Sequence, residues 1–251
     1  MKWVQAKVVS QKQWSSRLFS LFVEATIAPF IAGQFIQVAM DQNGPFRPYS
    51  LVNAPFDPIL EFYFTLLPPG VLTPQLSQLS MGSLLWVANH AAGKFTLHEI
   101  PAAKTLWLFA TGSGLGPFLS MLKTAEPWQR FTNIVLVHSV RAANELSHQP
   151  LIKEWQAQHP TQFHWFPIVT QEASLINSHV LSERITTLLQ SGKLERLAQL
   201  ELNPTTSQVM LCGSPSMVAD VCETLQKRNL VIHRPRQIGH ITVENYWKLS
   251  S

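Results

Sequence analysis

Several short stretches of this chain set polar, basic or flexible residues where an apolar backbone would otherwise run. Arg47, Tyr49 and Ser50 fall within four positions of "RPYSLVNAP" (47–55), a stretch otherwise patterned as a strand. A guanidinium, a flat ring and a hydroxyl so close together either end an amphipathic strand or grip a ligand with phosphate and aromatic parts. "ATGSGLGPFLSML" (110–122) runs from an apolar segment through Gly112, Gly114 and Gly116 into a helix opened by Pro117. Glycines admit a close pyrophosphate, and a helix start favours negative charge. The spacing is G-x-G-x-G-P, not the usual G-x-G-x-x-G dinucleotide fingerprint, so a tight strand-to-helix turn that needs small residues also accounts for it.

Further along, "VLVHSV" ends in Arg141, where NAD-type units commonly carry a carboxylate for the ribose hydroxyls. An arginine there suits a 2′-phosphate, and it also suits plain solvent exposure. "LCGSPSMV" (211–218) puts Cys212 and Gly213 at the carboxyl end of a strand, where open α/β sheets bind ligands. The plainer account is a buried thiol, a Ser214 helix cap and Pro215 at the first helical position. Tyr246 and Trp247 stand together near the end of the chain and need a surface to cover, either the core or a planar ligand.

The elements that must position these groups fall into two kinds. Up to about residue 100 the chain is a series of short runs rich in β-branched and aromatic residues, such as "WVQAKVV", "LFSLFVEA" and "LEFYFTLL", separated by Gly and Pro turns. That pattern predicts an all-β sandwich or barrel. One short helix fits "TPQLSQL" (73–79), with Thr73 as its cap and Pro74 at its first position. After residue 100, apolar runs such as "TLWLFA" and "NIVLVHSV" alternate with helical patterns. Strands buried on both faces and alternating with helices predict a parallel α/β sheet. The longest helical pattern is "VLSERITTLLQSGKLERL" (180–197), and "LVIH" (230–233) reads as the last strand. The expected division is 1–100 and 101–251.

Composition narrows the classes. Hydrophobic residues make up 46% of the 251 and charged residues 14%, which fits a well-cored globular chain. No apolar run reaches the roughly 18 residues of a membrane helix, and "MKWVQAKVV" lacks a signal-peptide core, so a soluble cytoplasmic protein is expected. Two cysteines, Cys212 and Cys222, and nine histidines show no ligand spacing, so no metal site is expected. The net charge of +4 is spread evenly, +2 in residues 1–104 (7 Lys/Arg, 5 Asp/Glu) and +2 in 105–251 (12 and 10). This argues against nucleic acid and favours an acidic protein or anionic small-molecule partner.

The motifs in this order resemble the ferredoxin–NADP(H) reductase superfamily, and most closely its bacterial ferredoxin/flavodoxin–NADP reductases. "AGQF" (32–35), "RPYS", "PGVLTPQL" (69–76), the glycine turn, "LCGSP" and "ENYW" carry the resemblance across the whole chain. It implies an N-terminal antiparallel FAD-binding β-barrel and a C-terminal NADP(H)-binding α/β domain whose aromatic tail covers the flavin. It further implies a monomer that holds FAD non-covalently, takes hydride from NADPH at flavin N5 and passes single electrons to ferredoxin or flavodoxin. By resemblance, Arg47 pairs with the FAD pyrophosphate, with Pro48 beside it. Tyr49 lies on the ring and Ser50 bonds near N5, while Tyr63, Val71, Leu72, Thr73 and Ser113 are further flavin contacts. Tyr246 covers the nicotinamide-side face and Trp247 lies near the adenine. Gly112, Val140, Arg141, Thr170, Arg184, Ser214, Pro215, Ser216 and Asp220 match NADP positions. Cys212 lies near the nicotinamide, and Glu244 matches an acidic residue tied to proton or electron transfer.

The sequence departs from that pattern at Gln171, where relatives usually carry a second arginine, and in the tail "KLSS" past the aromatic end. Lys227, Arg228, Arg234 and Arg236 fall within ten positions and suggest either a cationic docking edge or a solvated surface. Two rival readings stand beside the resemblance. One is a related flavin reductase or oxygenase-reductase component with another acceptor. The other is a non-catalytic nucleotide-binding module, which would be colourless.

Overall fold

The computed structural model describes residues 1–172, 180–234 and 237–244. The chain divides into two compact units, Met1–Leu97 with Gly116–Thr124, and His98–Leu115 with Ala125–Ser251.

The first unit is antiparallel. Its strands are β1 (Trp3–Gln13), β2 (Leu18–Glu24), β3 (Phe35–Ala39), β4 (Phe46–Ser50), β5 (Ile59–Thr65) and β6 (Leu84–Ala88), in the order β4-β3-β6-β1-β2-β5. Alternate residues point inward, so Val8, Leu21, Val23, Ile36, Val38, Phe62, Phe64, Leu85 and Val87 make one core. The two edge strands meet: a bridge joins Leu51 to Phe62, and the Val52 N–H donates to the Glu61 carbonyl. The sheet therefore curls into a barrel, as the short alternating runs imply.

β5 is buried on both faces, which an open barrel strand would not be. The helix α2 (Gly116–Leu122), which belongs to this unit, supplies the cover. Ser120 Oγ donates to the Asn53 carbonyl at 2.7 Å, and the Lys123 ammonium donates to the Val52 carbonyl at 3.0 Å. Lys123 also lies 3.8 Å from the carboxylate of Glu61, which accepts the Ser20 hydroxyl at 2.7 Å. The expected single cut near residue 100 is therefore crossed: 116–124 leaves the α/β stretch of sequence and packs with the barrel. Composition could not reveal this, because the fastening groups are polar and lie 67 and 71 positions from their partners.

The short helix is α1 (Thr73–Leu76), and its capping differs from expectation. Leu72 is the cap and makes no side-chain bond, while the Thr73 hydroxyl instead accepts from the Leu67 N–H and closes the "LPPG" turn.

The second unit is parallel throughout. Strands β7 (Thr105–Thr111), β8 (Asn133–Val140), β9 (Phe163–Val169), β10 (Ser207–Cys212) and β11 (Ile241–Glu244) lie in the order β11-β10-β7-β8-β9. Its other helices are α3 (Glu126–Arg130), α4 (Gln149–Gln158), α5 (Ile185–Gln190), α6 (Lys193–Ala198) and α7 (Pro215–Gln226). One face of the sheet, with Trp107, Phe109, Val135, Val137, Val209 and Leu211, packs on α5, α6 and α7. Two expectations fail here. The long helical pattern is split at Gly192, whose φ of +66° breaks the helix between α5 and α6. "LVIH" contributes only one bridge, Ile232 to Ile241, and the last strand is instead "ITVE", paired in parallel with β10.

Gly33 and Gly82 both have positive φ, +98° and +88°, but a Cβ at Gly33 would sit 2.1 Å from the Phe95 carbonyl oxygen while one at Gly82 meets nothing within 4 Å. Gly82→Ala should therefore lower stability by backbone strain alone, about 1 kcal/mol. Gly33→Ala adds a backbone clash and should cost about 2–4 kcal/mol. Thermal melts of the two variants check the order, and equal losses would refute it.

Candidate active site

In the first unit, β4 carries the Arg-x-Tyr-Ser motif at the edge of the sheet. That position explains Pro48: an edge strand has no second ladder to lose for want of an N–H. Arg47 is exposed, and among the described residues its guanidinium donates only to the adjacent Phe46 carbonyl, at 2.8 Å. Tyr49 turns inward, with its ring 6.0 Å from Phe64 and 6.3 Å from Phe62. Only 9% of Tyr49 is open, so most of its ring serves the barrel core. Burial raises the pKa of its hydroxyl against a smaller opposing pull from Arg47. Ser50 is half-buried and faces Gly116, where an added Cβ would come 3.9 Å from the Ser50 Cβ. Tyr63 is buried in β5, opposite Ser20 of β2. Val71 is exposed, Leu72 is buried in the core, and Thr73 is occupied with Leu67 as described.

In the second unit the parallel strands bring their carboxyl ends to one edge of the sheet. There the turn after β7 and the turn after β10 interlock. The Thr111 hydroxyl accepts the Ser214 N–H at 2.8 Å. A Cβ at Gly114 would meet the Cys212 carbonyl oxygen at 2.3 Å, and one at Gly213, φ +150°, would meet Thr111 Oγ1 at 2.0 Å. These glycines are needed for one turn to approach the other. Gly112 has φ +51°, and its carbonyl lies 3.2 Å from His138 Nε2. Ser113 follows it in the same half-buried turn. Ser214 caps α7 by accepting the Met217 N–H, with Pro215 at the first helical position, and Ser216 and Asp220 are exposed on that helix.

Beyond β8 and β9 the backbone continues in step. The Val140 carbonyl accepts both the N–H and the hydroxyl of Thr170, and the Arg141 carbonyl accepts the Gln171 N–H. Two carboxylates that the sequence reading passed over organise this loop. Glu145 accepts the Arg141 N–H at 3.0 Å, and Glu172 accepts the Ala143 N–H at 2.8 Å. Glu145 also accepts the Ala142 N–H at 3.4 Å, which is the carboxylate half of a capping box; Ala142 has no hydroxyl to supply the other half, so "RAANE" carries only part of that signal. Arg141 and Arg184 are exposed, and neither guanidinium has a partner among the described residues. Arg184 stands at the cap of α5 with extended backbone.

Cys212 is fully buried and lies beside Ala110 on one side and Glu244 on the other. Burial pushes the Glu244 carboxyl up to about 7. The other cysteine, Cys222, is also buried. Tyr246 and Trp247 lie outside the described residues. Among the described residues no cluster of three or more His, Cys, Asp or Glu could hold a metal, and no helix is long and apolar enough to cross a membrane.

A model of the oxidoreductase NAD-binding domain matches residues 108–223, which span the glycine turn, Arg141 and the turn after β10. The flavodoxin/ferredoxin–NADP reductase of Escherichia coli (strain K12) is 41% identical over 98% of this chain and 99% of its own. That of Buchnera aphidicola subsp. Schizaphis graminum is 42% identical over 98% and 99%. The chain belongs to the flavodoxin/ferredoxin–NADP reductase family. The crystal structure of a ferredoxin NADP+ reductase from Neisseria gonorrhoeae with bound FAD and NADP superposes with a TM-score of 0.90, at 29% identity, over 98% of this reductase and 100% of that chain.

Glu244 makes stability depend on pH in a defined direction. Its folded pKa of about 7 lies above the unfolded value of about 4.3. The folded state therefore holds this proton more tightly, and the contribution is full below pH 4 and lost as pH rises through 7. Glu244→Gln should gain on the parent between pH 5 and pH 9, on the order of 2 kcal/mol. Melting curves at both pH values test this, and a gap that does not change with pH would refute it.

Proposed function

We propose that this reductase passes electrons between NADPH and ferredoxin or flavodoxin, with FAD bound by the first unit and NADP(H) by the second. The observation that carries the reading is a set of unspent guanidiniums. Arg47, Arg141 and Arg184 are exposed, and none enters an ion pair among the described residues. A planar guanidinium matches phosphate bidentately, and a charge left without an internal partner is available for one. The donor chemistry thus fits two phosphate-bearing cofactors.

When bound, FAD supplies the redox chemistry that side chains lack, accepting a hydride and releasing electrons singly. The chain holds and orients. Arg47 pairs with the FAD pyrophosphate. Tyr49 presents what remains open of its ring to the flavin, and the Ser50 hydroxyl bonds near the reacting nitrogen. Tyr63, Val71, Leu72 and Thr73 add contacts; the resemblance also assigns Ser113, Tyr246 and Trp247 to the flavin, the last two outside the described residues. On the second unit Arg141 and Arg184 take the 2′-phosphate. Gly112, Val140, Thr170, Ser214, Pro215, Ser216 and Asp220 line the rest of the nucleotide, with Cys212 and Glu244 near its nicotinamide.

The acidic-partner reading draws on fewer cations than sequence counting suggests. Lys227 pairs with Glu223 at 2.7 Å, and Arg228 is tied to Glu195 at 2.7 Å and to the Leu189 carbonyl. Arg234 remains exposed.

Purified protein should be yellow, release FAD on denaturation and reduce ferricyanide with NADPH; colourless protein without that activity would sink the reading. Arg141→Ala should weaken NADPH by roughly 1–3 kcal/mol, the value of a charged hydrogen bond. NADH, which lacks the 2′-phosphate, should lose far less. Steady-state KM values for both nucleotides decide it, and equal losses would count against the role of Arg141.

A further inference from the structure

His138 sits in the middle of β8, whose residues are buried from end to end, and is itself fully buried. Its Nε2 lies 3.2 Å from the Gly112 carbonyl oxygen, and its Nδ1 meets no partner among the described residues. A carbonyl only accepts, so Nε2 carries the proton and Nδ1 is a bare lone pair. Burial lowers its pKa to about 4 against the opposing pull of the Gly112 hydrogen bond, with a smaller lowering effect of His148, so the ring stays neutral at working pH. Packing alone does not account for a histidine here. A buried acceptor left without a donor is unfavourable, and an apolar side chain of similar volume would avoid it.

What the ring does is hold one carbonyl. His138 pairs with Ala110 in register, two residues before Gly112. A trans peptide points its C=O and its N–H in opposite directions. Tying the Gly112 carbonyl to β8 therefore turns the Ser113 N–H away from it. At φ +51° a glycine not so tied has other peptide orientations open to it.

We propose that His138 is a positioning residue of the nucleotide turn, its Nε2–H anchoring the Gly112 carbonyl and so fixing the direction of the Gly112–Ser113 peptide. The consequence for catalysis rests on the reading of this turn as part of the NADPH site.

Two measurements on the FAD-loaded protein test it. Nitrogen-15 NMR of labelled histidines should show neutral His138 as the Nε2–H tautomer. The Nδ1–H tautomer overturns the proposal. His138→Leu should raise the KM for NADPH about 3- to 10-fold, the loss of one hydrogen bond, with a much smaller change in kcat. His138→Gln, whose amide keeps a donor near Nε2, should recover most of it. An unchanged KM in His138→Leu, or no recovery in His138→Gln, overturns the positioning role. If the parent protein does not oxidise NADPH, the reading of the site fails, and the tautomer alone decides whether His138 holds the turn. The tautomer also decides if His138→Leu does not fold.

Discussion

A carboxylate in the wall of a barrel sets the constraint on which much of this structure depends. Glu61 is 5% exposed in β5, and burying it is tolerable only if charge and hydrogen bonds surround it. Ser20 donates to it, Lys123 lies 3.8 Å away, and Trp14 donates to Ser20 in turn at 2.9 Å. Lys123 lies just past the end of α2, so meeting the need of Glu61 fastens that helix to the barrel. The same ammonium and Ser120 take the carbonyls of Val52 and Asn53, the residues that follow the Arg-x-Tyr-Ser motif. α2 is thereby bonded to the segment that follows the strand carrying Ser50. A Cβ at Gly116 would meet Val52 Cγ2 at 3.2 Å, which shows how little room that fastening leaves.

The second unit meets a comparable demand with backbone rather than charge. Two turns leave neighbouring parallel strands at the same edge, and each fills the space the other needs. Gly114 lets the Cys212 carbonyl approach, and Gly213 lets Thr111 approach and accept the Ser214 N–H. His138 holds the first turn from below. A pair of turns built this way keeps its geometry because the strands beneath it are rigid and its polar groups are already committed. Glu145 and Glu172 do the same for the loop that bears Arg141, taking backbone N–H groups and leaving the guanidinium uncommitted.

Both sheets were legible in the sequence because burial leaves a periodic trace. Alternation marks a barrel wall, and unbroken apolar runs mark strands covered on both faces. "NIVLVHSV" forms β8 over the full stretch. What failed was decided by contacts that leave no periodic trace. The Thr73 hydroxyl had a turn to close as well as a helix to cap, and the turn won. Gly192 and its neighbours divided a helix whose leucine spacing was intact. "ITVE" is only four residues long and became a strand because β10 offered it an edge. His138, set within an apolar run, carried a signal that was available: a large polar ring in a strand with nowhere to expose it.

The arginines show why a site is harder to read than a fold. Sequence gives Arg47, Arg141, Arg184 and Arg228 one identity, and Arg228 even lies in the most basic stretch. The structure separates them by what each guanidinium already holds. Arg228 is bound to Glu195 and the Leu189 carbonyl, with 27% of its side chain exposed, and it secures α5 and α6 beside α7. Arg141 and Arg184 hold nothing among the described residues, and Arg47 holds only the carbonyl of its neighbour. A charge that has given up its water for an internal partner stabilises the fold and has little left for a ligand. A charge kept in water beside a rigid turn gives up that water only when a phosphate arrives, and the favourable energy of that exchange appears as binding. Net charge counts both kinds alike, which is why +4 described the protein and did not locate its site.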